Sequence, residues 1–468
     1  IVAATALGNA TSVDDGSYGQ GWLAYDDDGK DWKLDGVAPG AVLVAFDGQI
    51  TPPTVSCSDP GQGTVSAGLL YDEIGNQGAM ADSYDNNNAR IFNFSFGADV
   101  NDYVSGYGAE IDLFLFNKRN ALAFLSAGNY GSDDDNNNFP DLGSLGSNAN
   151  TKNGLAIGAS VAVNDLGDTS EGNFARNRAA FSSVGPAGGV DEVVDRTAPQ
   201  LMAPGHDYII AAAMGMVSEY HCRSDDNDQV GEARCDVVTE SSGTSFAAPA
   251  AAGSALLVRD YFAQGFYPDG TSDNPGNAGD VVPDISGALI KSVLISSAAF
   301  LDRSTDRTGG TQVTWHSRFN NEQGYGRIQL DNALPLNTWP ASATGLVVAD
   351  GGIVGGVNNL SGLDGVVNVV TGGSDSATFE VCADEELRVA LSWFEAEGST
   401  LTNNLNLELV SPSGVTYIGN YFTDDNNRNR ALDAGEDCPS IDGTAGRLDA
   451  APWSLPKCGN AAVDLYNP

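Results

Sequence analysis

The chain has 468 residues, more than one ordinary domain holds and enough for a large domain with a smaller companion. Its 62 Asp and Glu against 22 Lys and Arg give a net charge of −40, which repels nucleic acid and anionic membrane and argues against both as partners. No apolar run of about 18 residues occurs, so no membrane span is expected; the acidity suits an extracellular protein, a saline habitat or a binder of divalent cations.

From residue 37 to about 335, short apolar runs alternate with helix-like segments, the pattern of an α/β sheet with mostly parallel strands. Residues 42–46 read as a buried strand. Residues 61–80 carry apolar side chains at helical spacing (Val65, Leu69, Leu70, Ile74). Then come a strand over 90–95, a helix over 109–120 and strands over 121–125, 155–159 and 208–211. Two helices close this part, one from Thr244 to about Gln264 and one over 287–299 bearing Leu289, Val293 and Leu294. In the first, Thr244 is expected as the N-cap, with Pro249 about a turn further in.

After Leu336 the helical period disappears. Alternating runs over 377–381, 387–391 and 405–409, with a turn at 411–414, predict an all-β sandwich or jelly roll. The change divides the chain into 1–338 and 339–468. Six cysteines are present and none forms a Cys-x-x-Cys pair, which argues against zinc. Local disulfides are expected for Cys222 with Cys235 and Cys438 with Cys458, leaving Cys57 and Cys382 over.

Three stretches carry chemistry. Gly243-Thr244-Ser245 runs into an Ala-rich helix and puts the Ser245 hydroxyl among backbone N–H groups without intrahelical partners. Ala127-Gly128-Asn129 ends a strand with an amide side chain that can donate to a developing oxyanion. Ser95-Phe96-Gly97 follows another strand, where an extended peptide could add alongside. Taken alone, each also fits a blander role: a capped buried helix, a turn with Asn in the left-handed region, a strand end.

Together they resemble the subtilisin-like serine peptidases, or subtilases. Gly243-Thr244-Ser245-Phe246-Ala247-Ala248-Pro249 matches that family's Gly-Thr-Ser-x-Ala-x-Pro, and the other two stretches match its oxyanion and cleft segments, in the family's order. Further landmarks agree at 36–41, 151–153, 181–186, 198–205 and 323–327. The stretch 387–420 is similar to the β-domain of the large, oxidatively stable subtilases. The resemblance implies a subtilisin-like three-layer α/β fold with a mostly parallel sheet, followed by the β-sandwich. It implies a secreted or cell-surface endopeptidase acting on proteins or peptides, with Ser245 as nucleophile, Asn129 and the Ser245 N–H holding the oxyanion, and Ser95, Phe96, Gly97, Ala127, Gly128 and Thr244 lining the substrate site.

The family's Asp-Thr-Gly and His-Gly-Thr motifs do not occur in the chain. His206, His221 and His316 read as ordinary loop histidines, and Asp14 or Asp15 before Gly16 as a poor candidate acid. Ile1-Val2-Ala3 fits the residues that follow the catalytic histidine. The triad Asp and His are therefore expected upstream of residue 1, by truncation or on a separate N-terminal fragment, and the fragment alone is expected to be inactive. The rival expectation is a non-catalytic protein of the same fold, acting in binding or structure. Asp425, Asn427, Asn429, Asp433 and Glu436 take positions 1, 3, 5, 9 and 12 of an EF-hand-like loop, with Arg430 where Gly is usual, and predict structural calcium.

Overall fold

The computed structural model describes residues 37–44, 78–99, 107–131, 140–161, 177–188, 196–206, 208–211, 238–272, 281–301, 320–337, 345–351, 371–381, 386–398, 405–414 and 416–418, with short pieces between them. Its centre is a seven-stranded sheet. After helix α1 (Ala79–Asn87) come β1 (Ile91–Phe94), α2 (Gly108–Asn117), β2 (Leu122–Ser126), β3 (Leu155–Val161), the two-residue β4 (Asn177–Arg178) and β5 (Leu201–His206). β1, β2, β3 and β5 run parallel, in register from Ile91 opposite Leu122 through Phe124 opposite Leu155 to Ile157 opposite Leu201. Strands buried on both faces need unbroken apolar runs, and every residue of β2 and β3 is buried.

β6 (Tyr208–Ala211) pairs antiparallel with β7 (Val238–Ser241), which leads straight into α3 (Thr244–Ala263). α3 packs on β1, β2, β3 and β5. Its buried face is almost all alanine: Ala247, Ala248, Ala250, Ala251, Ala252 and Ala255. Small side chains let the helix axis approach the sheet closely. At Gly205 on β5 a methyl would stand 2.8 Å from Gly243 O and 3.0 Å from the Cβ atoms of Ala159 and Ala247, so helix and strand are nearly in backbone contact. α4 (Gly287–Ser297) is capped by Ser286, whose Oγ accepts from Leu289 N at 2.9 Å, and packs on α3 and β2. β8 (Arg303–Thr305) and β9 (Gln312–Thr314) extend the sheet beyond β4.

Several expectations shift. Ala41 to Val44 form no strand, and Val42 is 91% exposed: among the described residues nothing pairs with this run, so its apolar character alone does not make it one. Described helix begins only at Ala79, at the end of the 61–80 span; the earlier part lies outside the described residues. β5 was not expected, because Pro204 and Gly205 interrupt its pattern. The expected sandwich is not shown. The alternating runs at 377–381 and 387–391 are largely exposed, Val381 and Val389 among them, and the described ladder here is β10 (Glu408–Val410) with β11 (Thr416–Ile418).

Residues 386–403 nevertheless dock on the α/β part. Lys152 Nζ donates to Ala396 O (2.7 Å), Asn153 Nδ2 donates to Glu395 O (2.8 Å) and Glu395 N donates to Asn153 Oδ1 (2.7 Å). Arg388 Nη1 donates to Ser296 O and Ala298 O, both at 3.0 Å. Phe394 joins the main core. The buried Glu395 carboxylate accepts from Trp393 Nε1, Thr402 N and Asn403 N.

Candidate active site

The parallel strands deliver their C-terminal ends to one edge, and the first turn of α3 meets them there. β1 ends into Ser95, β2 into Ala127-Gly128-Asn129, and α3 begins at Thr244 with Ser245 next. Residues far apart in sequence thus form one cluster: Ser245, Asn129, Thr244, Ser95 and Gly128.

Thr244 is the first helical residue and not the cap. The cap position is taken by Gly243, which offers no side chain. The Thr244 side chain, fully buried, is used otherwise: its hydroxyl donates to Asn129 Oδ1 (3.0 Å) and accepts from Gly128 N (3.1 Å), while its own N–H donates to Asn129 Oδ1 (2.8 Å). Two donors on Asn129 Oδ1 fix the sense of the amide. Its Nδ2 is left for another partner. A methyl placed on Gly243 would stand 3.6 Å from Asn129 Nδ2, 3.7 Å from Ser245 N and 3.8 Å from Asn129 Oδ1, so both N–H donors lie close to Gly243, with the amide oxygen beside them. Such a pair is what an oxyanion needs.

The turn that presents Asn129 is held from behind. Gly128 has φ +113°, and a Cβ there would stand 2.7 Å from Ser183 Oγ. Ser183 N donates to Gly128 O (3.0 Å) and Ser183 Oγ accepts from Tyr130 N (3.0 Å). Ser183 belongs to the stretch 181–186 noted only as a landmark. Ala127 is fully buried, with N bonded to Ile157 O and O bonded to Gly146 N.

The cleft segment is braced as well. Asn148 Nδ2 donates to Phe96 O (2.8 Å), and Ala98 exchanges hydrogen bonds with Ser147 through both its N and O. Gly97 is exposed and makes none among the described residues. The Phe96 ring is 46% exposed and stands edge-on to Phe94 at 6.0 Å.

Ser245 Oγ donates to Ser95 O at 3.2 Å, and Ser95 Oγ donates to Ser245 O at 2.8 Å. A carbonyl accepts a hydrogen bond but does not take the proton, so Ser95 O is no base toward Ser245. His206 ends β5 with Nδ1 3.4 Å from Ser242 Oγ and its ring against Phe181; Ser245 Oγ is not bonded to it. His221, His316, Asp14 and Asp15 lie outside the described residues, as do Cys57, Cys382, Cys438, Cys458 and the whole of Asp425 to Glu436. Cys222 and Cys235 are direct partners in a two-residue antiparallel ladder. Among the described residues, no group of three His, Cys, Asp or Glu could hold a metal, and no helix is long and apolar enough to cross a membrane.

A family model described as "Subtilase family" matches residues 1–326. Two curated proteins of Dictyostelium discoideum, the serine protease/ABC transporter B family proteins tagA and tagB, are each 27% identical, over 237 and 166 residues. These matches cover 49% and 35% of this chain but only 11% and 8% of those proteins. Among solved structures, the prenylagaramide maturation protease PagA is similar with a TM-score of 0.31 and 20% identity, over 54% of this chain and 63% of that one. A protease of Pseudoalteromonas arctica gives 0.30 and 15%, over 52% and 50%.

Proposed function

This chain belongs to the subtilase family, and from that membership we propose that it is a secreted serine endopeptidase, cleaving peptide bonds through an acyl-enzyme on Ser245. The observation that carries the reading is the paired donors beside Gly243, Asn129 Nδ2 and Ser245 N, with Thr244 fixing the sense of the amide. A substrate strand adds along Gly97, bringing its scissile carbonyl to Ser245. Ser245 Oγ attacks the carbonyl carbon as its proton passes to a histidine, which an aspartate orients. The oxyanion formed takes hydrogen bonds from Asn129 Nδ2 and Ser245 N. Collapse breaks the C–N bond, the leaving amine takes the proton from the histidine, and water then hydrolyses the ester by the same steps.

Secretion is supported by the net charge of −40 and by the register that sets Cys222 opposite Cys235, which suits a local disulfide. Structural calcium on Asp425, Asn427, Asn429, Asp433 and Glu436 remains part of the proposal on their spacing. Removing it with EDTA is expected to lower the thermal midpoint, and an unchanged midpoint counts against it.

The deciding experiment treats the full-length protein, including whatever precedes residue 1, with a fluorophosphonate probe. Covalent label on Ser245, lost in Ser245→Ala together with peptide hydrolysis, is the expected result. A folded full-length protein that takes no label would leave the non-catalytic reading.

A further inference from the structure

Pro249 lies inside α3, four residues after the nucleophile. In an α-helix the carbonyl of residue i accepts from the N–H of i+4. Proline has no N–H, and its ring crowds the carbonyl four residues back. The carbonyl four back is that of Ser245. The helix therefore cannot satisfy the nucleophile's own C=O. Ser95 does: its Oγ donates to Ser245 O at 2.8 Å from across 150 positions of chain. The Ser95 hydroxyl is itself oriented, because Asn93 Nδ2 donates to Ser95 Oγ at 3.0 Å and leaves the serine proton to point at Ser245 O. Among the described residues the Asn93 Oδ1 is buried without a hydrogen-bond partner.

We propose that Pro249, Ser95 and Asn93 form one positioning device: the proline withholds the helical bond, and the Asn93–Ser95 relay takes up the freed carbonyl, tying the nucleophile's peptide to the cleft segment. In an unbroken helix the Ser245 carbonyl would be held along the helix axis, whatever the cleft does. Here the peptide carrying the nucleophile is referenced to Ser95-Phe96-Gly97, the segment along which substrate adds. In this role the Ser95 and Asn93 side chains reach the Ser245 carbonyl and not its Oγ, which is bonded separately to the Ser95 main-chain carbonyl. They are positioning residues, and a displacement of about 1 Å at a nucleophile can slow reaction by about 100-fold.

The proposal rests on the peptidase reading. Its test compares full-length wild type with Ser95→Ala, Ser95→Thr, Asn93→Ala and the double variant Ser95→Ala/Pro249→Ala, by peptide kcat and KM, fluorophosphonate labelling rate and thermal midpoint. Ser95→Ala should lower kcat and labelling about 10- to 100-fold with little change in KM, and should lower the midpoint by orphaning the carbonyl. Ser95→Thr keeps the hydroxyl and should retain most of the rate. In the double variant, residue 249 regains an N–H. The helix can then satisfy Ser245 O, so the midpoint should recover while the rate does not. Recovery of rate along with midpoint would show that any bond to that carbonyl suffices, and would overturn the proposal. So would Ser95→Ala labelling at the wild-type rate. Should Ser95→Ala fail to fold, Asn93→Ala decides: it orphans no acceptor, and an unchanged rate overturns the relay. A wild type that neither labels nor hydrolyses fails the peptidase reading itself, a result separate from any of these.

Discussion

Asn129 is held by its Oδ1, which leaves its Nδ2 for the oxyanion role proposed above. Its Oδ1 is bound twice by Thr244, so the direction of Nδ2 does not depend on substrate. A subtilisin stripped of its oxyanion amide slows by about 10²–10³ in kcat, and Asn129→Ala is expected to do the same, with KM little changed, as steady-state kinetics of the full-length protein would show. Gly128 is as constrained. With φ +113° and only 2.7 Å between a would-be Cβ and Ser183 Oγ, Gly128→Ala should abolish labelling of Ser245 and lower the thermal midpoint. At this scale the sequence made Ser245, Asn129 and Ser95 legible, because each sits in a short motif at the end of a strand or start of a helix. Asn93 and Ser183 were not. Asn93 looks like a polar interruption of an apolar strand, and Ser183 meets Tyr130 from 53 positions away; both act through bonds that only folding creates.

Among elements, α3 was readable and its first residue was not. A threonine before an Ala-rich run is a sound N-cap expectation, yet the Thr244 hydroxyl serves Asn129 and Gly128 instead, and Gly243 stands at the cap. β5 escaped notice because Pro204 and Gly205 break its apolar run. The proline is tolerated beside the register shift between β3 and β5, and the glycine is required by the closeness of α3. Gly205→Ala should push α3 off the sheet, costing about 1–3 kcal/mol of stability and shifting Ser245 from Asn129. Denaturant unfolding together with the labelling rate would show both losses; wild-type values would mean that α3 and β5 have room to spare. The run at 42–44 failed the other way, since apolar residues without a pairing neighbour make no strand.

Across the whole molecule the sequence shows a surplus of acid, but not the cationic knot inside. Lys291 on α4 is 2% exposed, donates to Lys152 O at 3.0 Å, and lies near the buried Asp112 and Arg196. Burial lowers its pKa to about 8 from 10.5, against the opposing pull of Asp112. Below pH 8 both folded and unfolded chains hold the proton, and the folded state bears the whole penalty of the buried charge. Between about 8 and 10.5 the unfolded chain binds more protons, so this residue's contribution to stability rises with pH. Lys291→Met cannot titrate. The stability of wild type relative to this variant should therefore gain on the order of 2–3 kcal/mol between pH 7 and 10, measured by denaturant unfolding at each pH; a constant difference would refute it. The same Lys152 whose carbonyl receives Lys291 reaches Ala396 with its ammonium, so the knot extends into residues 386–403.

That docking bears on heredity as well as on packing. A gene cut after codon 338 would encode an α/β part in which Asn153 and Lys152 face water where Glu395 and Ala396 had been, and in which the place of Phe394 beside Gly287 stands empty. Because those hydrogen bonds end on backbone atoms, a grafted C-terminal part would need no particular side chains to remake them, only a chain passing at the same place, with an aromatic ring to fill the position of Phe394.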